Sequence, residues 1–458
     1  MNEIEIKMII DEYKAFQNRL KYNYVLFDIY EGQLLKYILE DVRKQVSEKT
    51  FASMEPRIVP INFLKKIVDK LSQIYTDEPT RTLTKESKDD SELFAYYMEK
   101  TAINSEMNLA NEIFNLEKYV AIRPYVDNRK PALRIMQPDK FFVLSLNKSN
   151  PMRPTHYIEI MGKKEKADIL HVYTDETFYI IDSDGNLLVD DMMALDNPNG
   201  VNLLGKLPIA YIPKSKFDLI PREDSDLLKM VKILPILFSD LNEVVFWQSF
   251  SIIYGIDLSE ENLTMAPNAF WSLKSDPATA QKPEVGTIKP QADIQSVMNF
   301  IMFQLDTWLN TRGIKSSSAT ATSGLSGFSK MVDEIDTTED RKKQIPFFVK
   351  GETELWELIF NHYHPYWVQR NMIDETRLFT PDQSIKIEFK KQVPVVDTSK
   401  TLDEIQKEID LRLTTRKRAI QKLNPKMDET AIGELLVEIE KEDTIYVDEK
   451  KDPNKQEI

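Results

Sequence analysis

The stretch GVNLLGKLPIAYIP, Gly200 to Pro213, decides between two folds, because its first seven residues carry the glycine-x4-glycine-lysine spacing of a nucleotide-binding P-loop. A working P-loop places Ser or Thr after the lysine to hold Mg²⁺ and starts a helix there, so that amide groups and helix dipole meet the phosphates. Here Leu207 follows Lys206 and has no oxygen to give. LPIAYIP alternates apolar and other residues, is rich in β-formers and runs into a second proline at Pro213, which predicts a strand. The stretch closes a sheet and does not cradle a nucleotide.

The same period of two runs upstream from Tyr119, through KFFVLSL, HYIEIMG, ILHVYT and TFYIID, and predicts an antiparallel sheet module ending at Pro213. Within it DSDGN, Asp182 to Asn186, starts like a calcium loop, but its glycine comes too early and no glutamate closes the loop. Asp184-Gly185 reads instead as a hairpin turn.

Downstream the period changes to that of a helix. Leu227, Val231, Leu234, Phe238, Leu241 and Val245 recur at steps of four and three along one seam, with Pro235 expected to bend it. A second helix, from Gln291 to Thr311, repeats the scheme with Ile294, Val297, Met298, Ile301, Leu305, Trp308 and Leu309, while Phe300 and Phe303 lie off that seam. Two apolar faces on one helix predict packing both within the pair and against a neighbouring subunit. Between the helices, GIDLSEENLTMAPNAFWSLKSDPATAQKPEVGTIKP predicts a small segment of turns and strands; after them, GIKSSSATATSGLSG, with three glycines, predicts a mobile loop.

The N-terminal part reads as helical to about residue 48 with a break at Gly32, then a helix capped by Asn62 and ending before Pro79. The solvated link TKESKDDSE leads into a helix from about Glu92 to Leu116. FSKMVDEIDTTEDRKKQIPFFVKGETELWELIFNHYHPYW returns to helix, kinked or interrupted around Pro346 and Gly351, and SIKIEFKK reads as a strand. Helices near 402–413, 415–423 and 428–441 and a charged, disordered tail close the chain. The fold class is α+β, predominantly helical.

Composition narrows the function. The 458 residues suffice for two to four domains, and 60 basic against 74 acidic residues give a net charge of −14, which argues against a chain that wraps tightly around nucleic acid. Without cysteine there is neither a disulfide framework nor a thiolate site. Glu3, Glu5 and Asp11 stand where an export signal is basic and then apolar, and Asp240, Asn242 and Glu243 interrupt the most apolar stretch, Val231 to Ile256, so no membrane span is expected. The four histidines include an H-x-H pair, His362 and His364, whose side chains point apart on a helix; a metal-dependent hydrolase built on them is the enzymatic alternative, and a non-viral helical scaffold or adaptor oligomer a third reading. No catalytic residue, metal ligand or cofactor is nominated.

The order of the parts resembles the portal proteins of tailed double-stranded DNA phages. YEGQLLKYI and INFLKKIVDKLSQIYTDEPTR are similar to the family's N-terminal segments, with Asp77-Glu78 where a glycine is usual. GKLPIAYIP resembles the strand that closes the sheet module, PREDSDLLKMVKILPILFSDLNEV the first stem helix, and GTIKPQADIQSVMNFIMFQLDTWLNTRGI the end of the clip and the second stem helix. SGLSGFSKMVDEID resembles the exit of the tunnel loop, and LRLTTRKRAIQKLNPKMDETAIGELLVEIEKE the crown.

The resemblance implies a portal-type fold in a closed, dodecameric ring. It implies a wing over 1–220, stem helices at 221–254 and 291–312, a clip at 255–290, a tunnel loop at 313–327, a long helix and return to the wing over 328–397, a crown over 398–445 and a disordered tail over 446–458. Leu234, Phe238, Leu241, Ile301, Leu305 and Trp308 would pack subunits in the stem; Glu260, Glu261, Phe270, Trp271 and Lys274 would form the partner surface of the clip; Lys315, Ser316, Ser317, Ser318, Thr320, Thr322 and Ser323 would face DNA in the tunnel loop. The implied partners are further copies of the chain, a large terminase, a head-tail adaptor, major capsid and scaffolding proteins, and double-stranded DNA bound weakly and without sequence preference. The implied site of action is the capsid vertex of a virion assembled in the host cytoplasm, with no ATPase activity, cofactor or membrane.

Overall fold

The computed structural model describes residues 3–85, 87–164, 166–195, 197–249, 252–256, 284–288, 294–311, 338–390, 405–411, 414–423 and parts of 432–439. The chain divides into two units, Met1–Lys390 and Lys391–Ile458.

The first unit opens with α1 (Glu3–Asp28), which passes through a π-turn (Ile29–Gln33) into α2 (Leu34–Arg43). The break expected at Gly32 is present, with φ at 105°, a conformation natural only to glycine. α3 (Glu48–Met54) is capped by the Ser47 hydroxyl, which accepts from Thr50 N. α4 (Phe63–Leu71) starts at the expected cap, where Asn62 Oδ1 accepts from Lys65 N at 3.2 Å, but ends well short of Pro79.

After β1 (Thr80–Leu83) the reading of a solvated link is corrected. Ser87 caps α5 (Lys88–Thr101), and Asp90, 2% exposed, accepts from Gln383 Nε2 and Thr380 N. The single helix read over residues 92–116 is two, because Ala102 takes a left-handed conformation (φ 47°) between α5 and α6 (Ile103–Glu117).

The sheet module contains β2 (Tyr119–Asp127), β3 (Lys130–Met136), β4 (Phe141–Leu144), β5 (His156–Lys164), β6 (Ala167–Tyr173), β7 (Phe178–Asp182), a short α7 (Val189–Ala194) and β8 (Ala210–Pro213). It forms two antiparallel sheets, β3-β2-β8 and β4-β5-β6-β7. Alternation puts Phe142, Ile158, Leu170 and Val172 against Ile9, Ile10 and Tyr13 of α1. It puts Phe141, Val143 and Tyr157 against Tyr119, Ala121 and Tyr211 of the other sheet. The Asp184-Gly185 turn is as expected: Gly185 has φ 93°, and Asp182 Oδ1 accepts from Asp184 N and Asn186 N.

The long helix α8 (Ser225–Ser249) leads to β9 (Ile252–Ile256), which pairs antiparallel with β10 (Glu284–Ile288) ahead of α9 (Ile294–Thr311). α10 (Thr338–Leu358) carries Pro346 and Gly351 without ending; the chain then takes a π-turn (Ile359–Tyr363) into α11 (His364–Gln369). Gly351 is there for close approach, since a Cβ at that position would collide with the side chain of Ile212 on β8. β11 (Ile385–Glu388), the strand read in SIKIEFKK, pairs with β1. Phe348, Leu355, Trp356 and Phe360 join Tyr97 and Phe114 in the largest core cluster.

In the second unit residues 405–410 are helical, α12 spans Arg416–Leu423, and Ile405, Ala419 and Ile432 are buried.

Candidate subunit interface on the long helix pair

α8 and α9 pack on each other and on the N-terminal helices. Leu227, Val231, Leu234 and Phe238 of α8 share one core cluster with Ile301, Leu305, Trp308 and Leu309 of α9 and with Leu26, Leu34, Phe63 and Leu64 from the N-terminal helices. Phe63 meets Phe238 with ring centroids 5.7 Å apart, Trp308 Nε1 donates to Asp226 Oδ2 at 3.0 Å, and Lys232 Nζ sits 2.8 Å from Asp41 Oδ2. Pro235 lies inside α8, where the ring removes one backbone donor. The Ser239 hydroxyl donates to Pro235 O at 2.8 Å and accepts from Val59 N at 3.1 Å, which ties that turn to the segment before α4.

All six residues read as stem packing positions, Leu234, Phe238, Leu241, Ile301, Leu305 and Trp308, are buried by the chain's own atoms. What this core leaves outside is a second ridge on α9. Val297, Phe300 and Phe303 follow at steps of three and are 38%, 53% and 68% exposed, and Ile233 on α8 is 45% exposed. Val297, Phe300 and Phe303 thus form an exposed apolar row on a helix whose opposite face, at Ile301, Leu305, Trp308 and Leu309, is buried. The sequence signal for this ridge was the pair Phe300 and Phe303 off the main seam.

The other nominated residues are placed as follows. Glu260, Glu261, Phe270, Trp271 and Lys274 lie outside the described residues, as do Lys315, Ser316, Ser317, Ser318, Thr320, Thr322 and Ser323. The P-loop-like segment turns into β8, not a helix, and its amide groups are already committed: Leu204 N donates to Asn202 Oδ1, Gly205 N to Asn202 O, and Leu207 N to Asp175 Oδ1. Lys206 lines a cleft of about 930 Å³ between β8 and α10 with Arg153, Asp175, Lys350 and Glu354. Four of those charges pair, with Arg153 at 3.3 Å from Asp175 and Lys350 at 3.8 Å from Glu354.

The H-x-H pair splits as its spacing requires. His364 is fully buried, with Nδ1 2.7 Å from Tyr97 Oη and Nε2 2.6 Å from Arg377 O, so both ring nitrogens serve the core. His362 Nδ1 lies 3.0 Å from Leu204 O. Among the described residues no group of three or more His, Asp or Glu side chains is arranged to hold a metal, and no helix is long and apolar enough to cross a membrane.

Comparison with known proteins places these features in context. The family model described as phage portal protein, SPP1 Gp6-like, matches residues 7–444. No curated protein matches. Among solved structures, one described as the neck of an empty GTA particle computed with C6 symmetry is 10% identical, covering 75% of this chain and 86% of that one with a TM-score of 0.32. Another, the virion of a native gene transfer agent (GTA) particle, is 10% identical, covering 82% and 93%, also with a TM-score of 0.32.

Proposed function

The chain belongs to the SPP1 Gp6-like family of phage portal proteins, and from that premise we propose that copies of it close into a dodecameric ring at one capsid vertex, around a channel for packaging and ejecting double-stranded DNA. A portal protein is a structural component of the virion, and the proposal gives this chain no catalytic step. The observation that supports the ring is the apolar ridge of Val297, Phe300 and Phe303, left in water by a helix pair whose own seam is already filled. Cyclic assembly covers such a ridge on every subunit with the neighbouring copy, by a head-to-tail contact that closes on itself.

On this reading residues 1–220 are the wing, 221–254 and 291–312 the stem helices, 255–290 the clip, 313–327 the tunnel loop, 328–397 the return to the wing and 398–445 the crown. The ribbon of β9 and β10 brings the two ends of the clip together, which suits a tip held at one end of the stem for a large terminase and later a head-tail adaptor. A net charge of −14 suits a conduit wall from which DNA is repelled, so that contact is weak and independent of sequence. Deleting residues 316–322 tests the channel assignment. Rings should still form while packaging or retention of DNA fails; normal packaging by that deletion would overturn the tunnel-loop role.

A further inference from the structure

The sheet β4-β5-β6-β7 carries a helix on each face. Leu170, Val172 and Ile181 turn towards Ile9, Ile10 and Tyr13 of α1, while Phe178 and Ile180 hold Met192 of α7 on the other face. The outer sides of the two helices therefore meet water in opposite directions.

The α7 side is apolar and acidic. Leu187, Val189, Met193, Leu195, Val201 and Leu203 are all at least 40% exposed. From Asp182 to Gly205 the chain has five aspartates and no lysine or arginine, and Lys164 offsets one of them, at 3.1 Å from Asp191. The backbone beneath is fixed. Asn197 Oδ1 accepts from Val201 N at 3.1 Å and its Nδ2 donates to Val201 O at 2.8 Å, while Asn202 Nδ2 donates to Thr174 O and Lys206 O. Gly200 (φ 62°) lies so close to Tyr179 that a Cβ there would collide with its ring. Apolar side chains held outwards on a fixed backbone lose little freedom when a partner covers them.

The α1 side is its complement. Lys7, Lys14 and Lys21 recur at steps of seven on the exposed side of the helix, and among the described residues none of the three forms an ion pair. Two acids, Glu3 and Asp11, share that side with the three lysines, and Ile4, 82% exposed, adds apolar surface. The aspartates repel DNA and a second α7 face alike, which leaves the lysine face as the match. Surfaces on opposite sides of one sheet meet head to tail, the kind of contact that closes into a ring.

On the premise of the ring, we propose that the α7 face of each copy docks on the lysine-bearing face of α1 in the next copy, as a second contact beside the α9 ridge. The chain has no cysteine, so introduced cysteines report without background. Lys7→Cys, Lys14→Cys and Lys21→Cys, all at exposed positions, are each combined with Met193→Cys in the full chain, treated with a short bismaleimide and run on a denaturing gel. At least one combination should give a ladder of covalent oligomers up to the closed ring, while every single-cysteine variant runs as a monomer. Light scattering on the same samples before cross-linking separates two failures. Rings that give no ladder in any combination, or that cross-link through Met193→Cys alone, overturn the docking and leave the ring standing. Monomers overturn the ring and the docking with it.

Discussion

His171 sits on β6 opposite Glu159 of β5 and Ile180 of β7, with its ring edge-on to Phe178 at 5.5 Å. Burial, and then the Arg123 charge, push its pKa down to about 4, with Asp191 opposing. The unfolded chain, near the ordinary value of 6.5, binds more protons between these values, so stability that is complete above about pH 6.5 is lost as the pH falls towards 4. The thermal midpoint of the wild type should therefore fall more steeply over that window than that of His171→Gln; parallel slopes would contradict this. Gly351 supplies a second residue-scale test. Overpacking against Ile212 costs about 1–3 kcal/mol, more than the roughly 1 kcal/mol that alanine gains over glycine inside a helix. Gly351→Ala should thus lower unfolding stability by about 1–2 kcal/mol in denaturant titration, and a more stable variant would show that β8 and α10 are not in close contact.

At the scale of elements, the proposed ring has the two faces of α9 separate folding from assembly. Leu305 is fully buried, and an aspartate there is an unpaired charge in the core, so Leu305→Asp should cost about 3–5 kcal/mol and yield poorly folded protein. Phe303, 68% exposed, can take the same substitution with stability changed by no more than about 0.5 kcal/mol, while sedimentation shows loss of the large assembly. A Phe303→Asp protein that assembles like the wild type would move the interface off this ridge. Elements with local signals were legible in the sequence: the Asn62 cap, the Asp184-Gly185 turn, the strand ending at Pro213 and the heptad-like seam. What was missed depends on distant residues. Asp90 is drawn into a helix by Gln383 and Thr380, β1 finds its partner at β11 near the other end of the first unit, and Ala102 adopts a left-handed conformation that no alanine advertises. The seam was legible as apolar but not as belonging to one chain, because a periodic stripe does not say which helix covers it.

For the whole molecule, the resemblance was read from the order of degenerate parts, and the portal family model matches residues 7–444. The central claim, a closed ring of identical subunits, is tested most directly by the mass of the purified protein in solution. Light scattering coupled to size exclusion should return a single assembly of about twelve times 53.4 kDa, allowing for a neighbouring ring number. A well-behaved 53.4 kDa monomer at micromolar concentration would contradict the account.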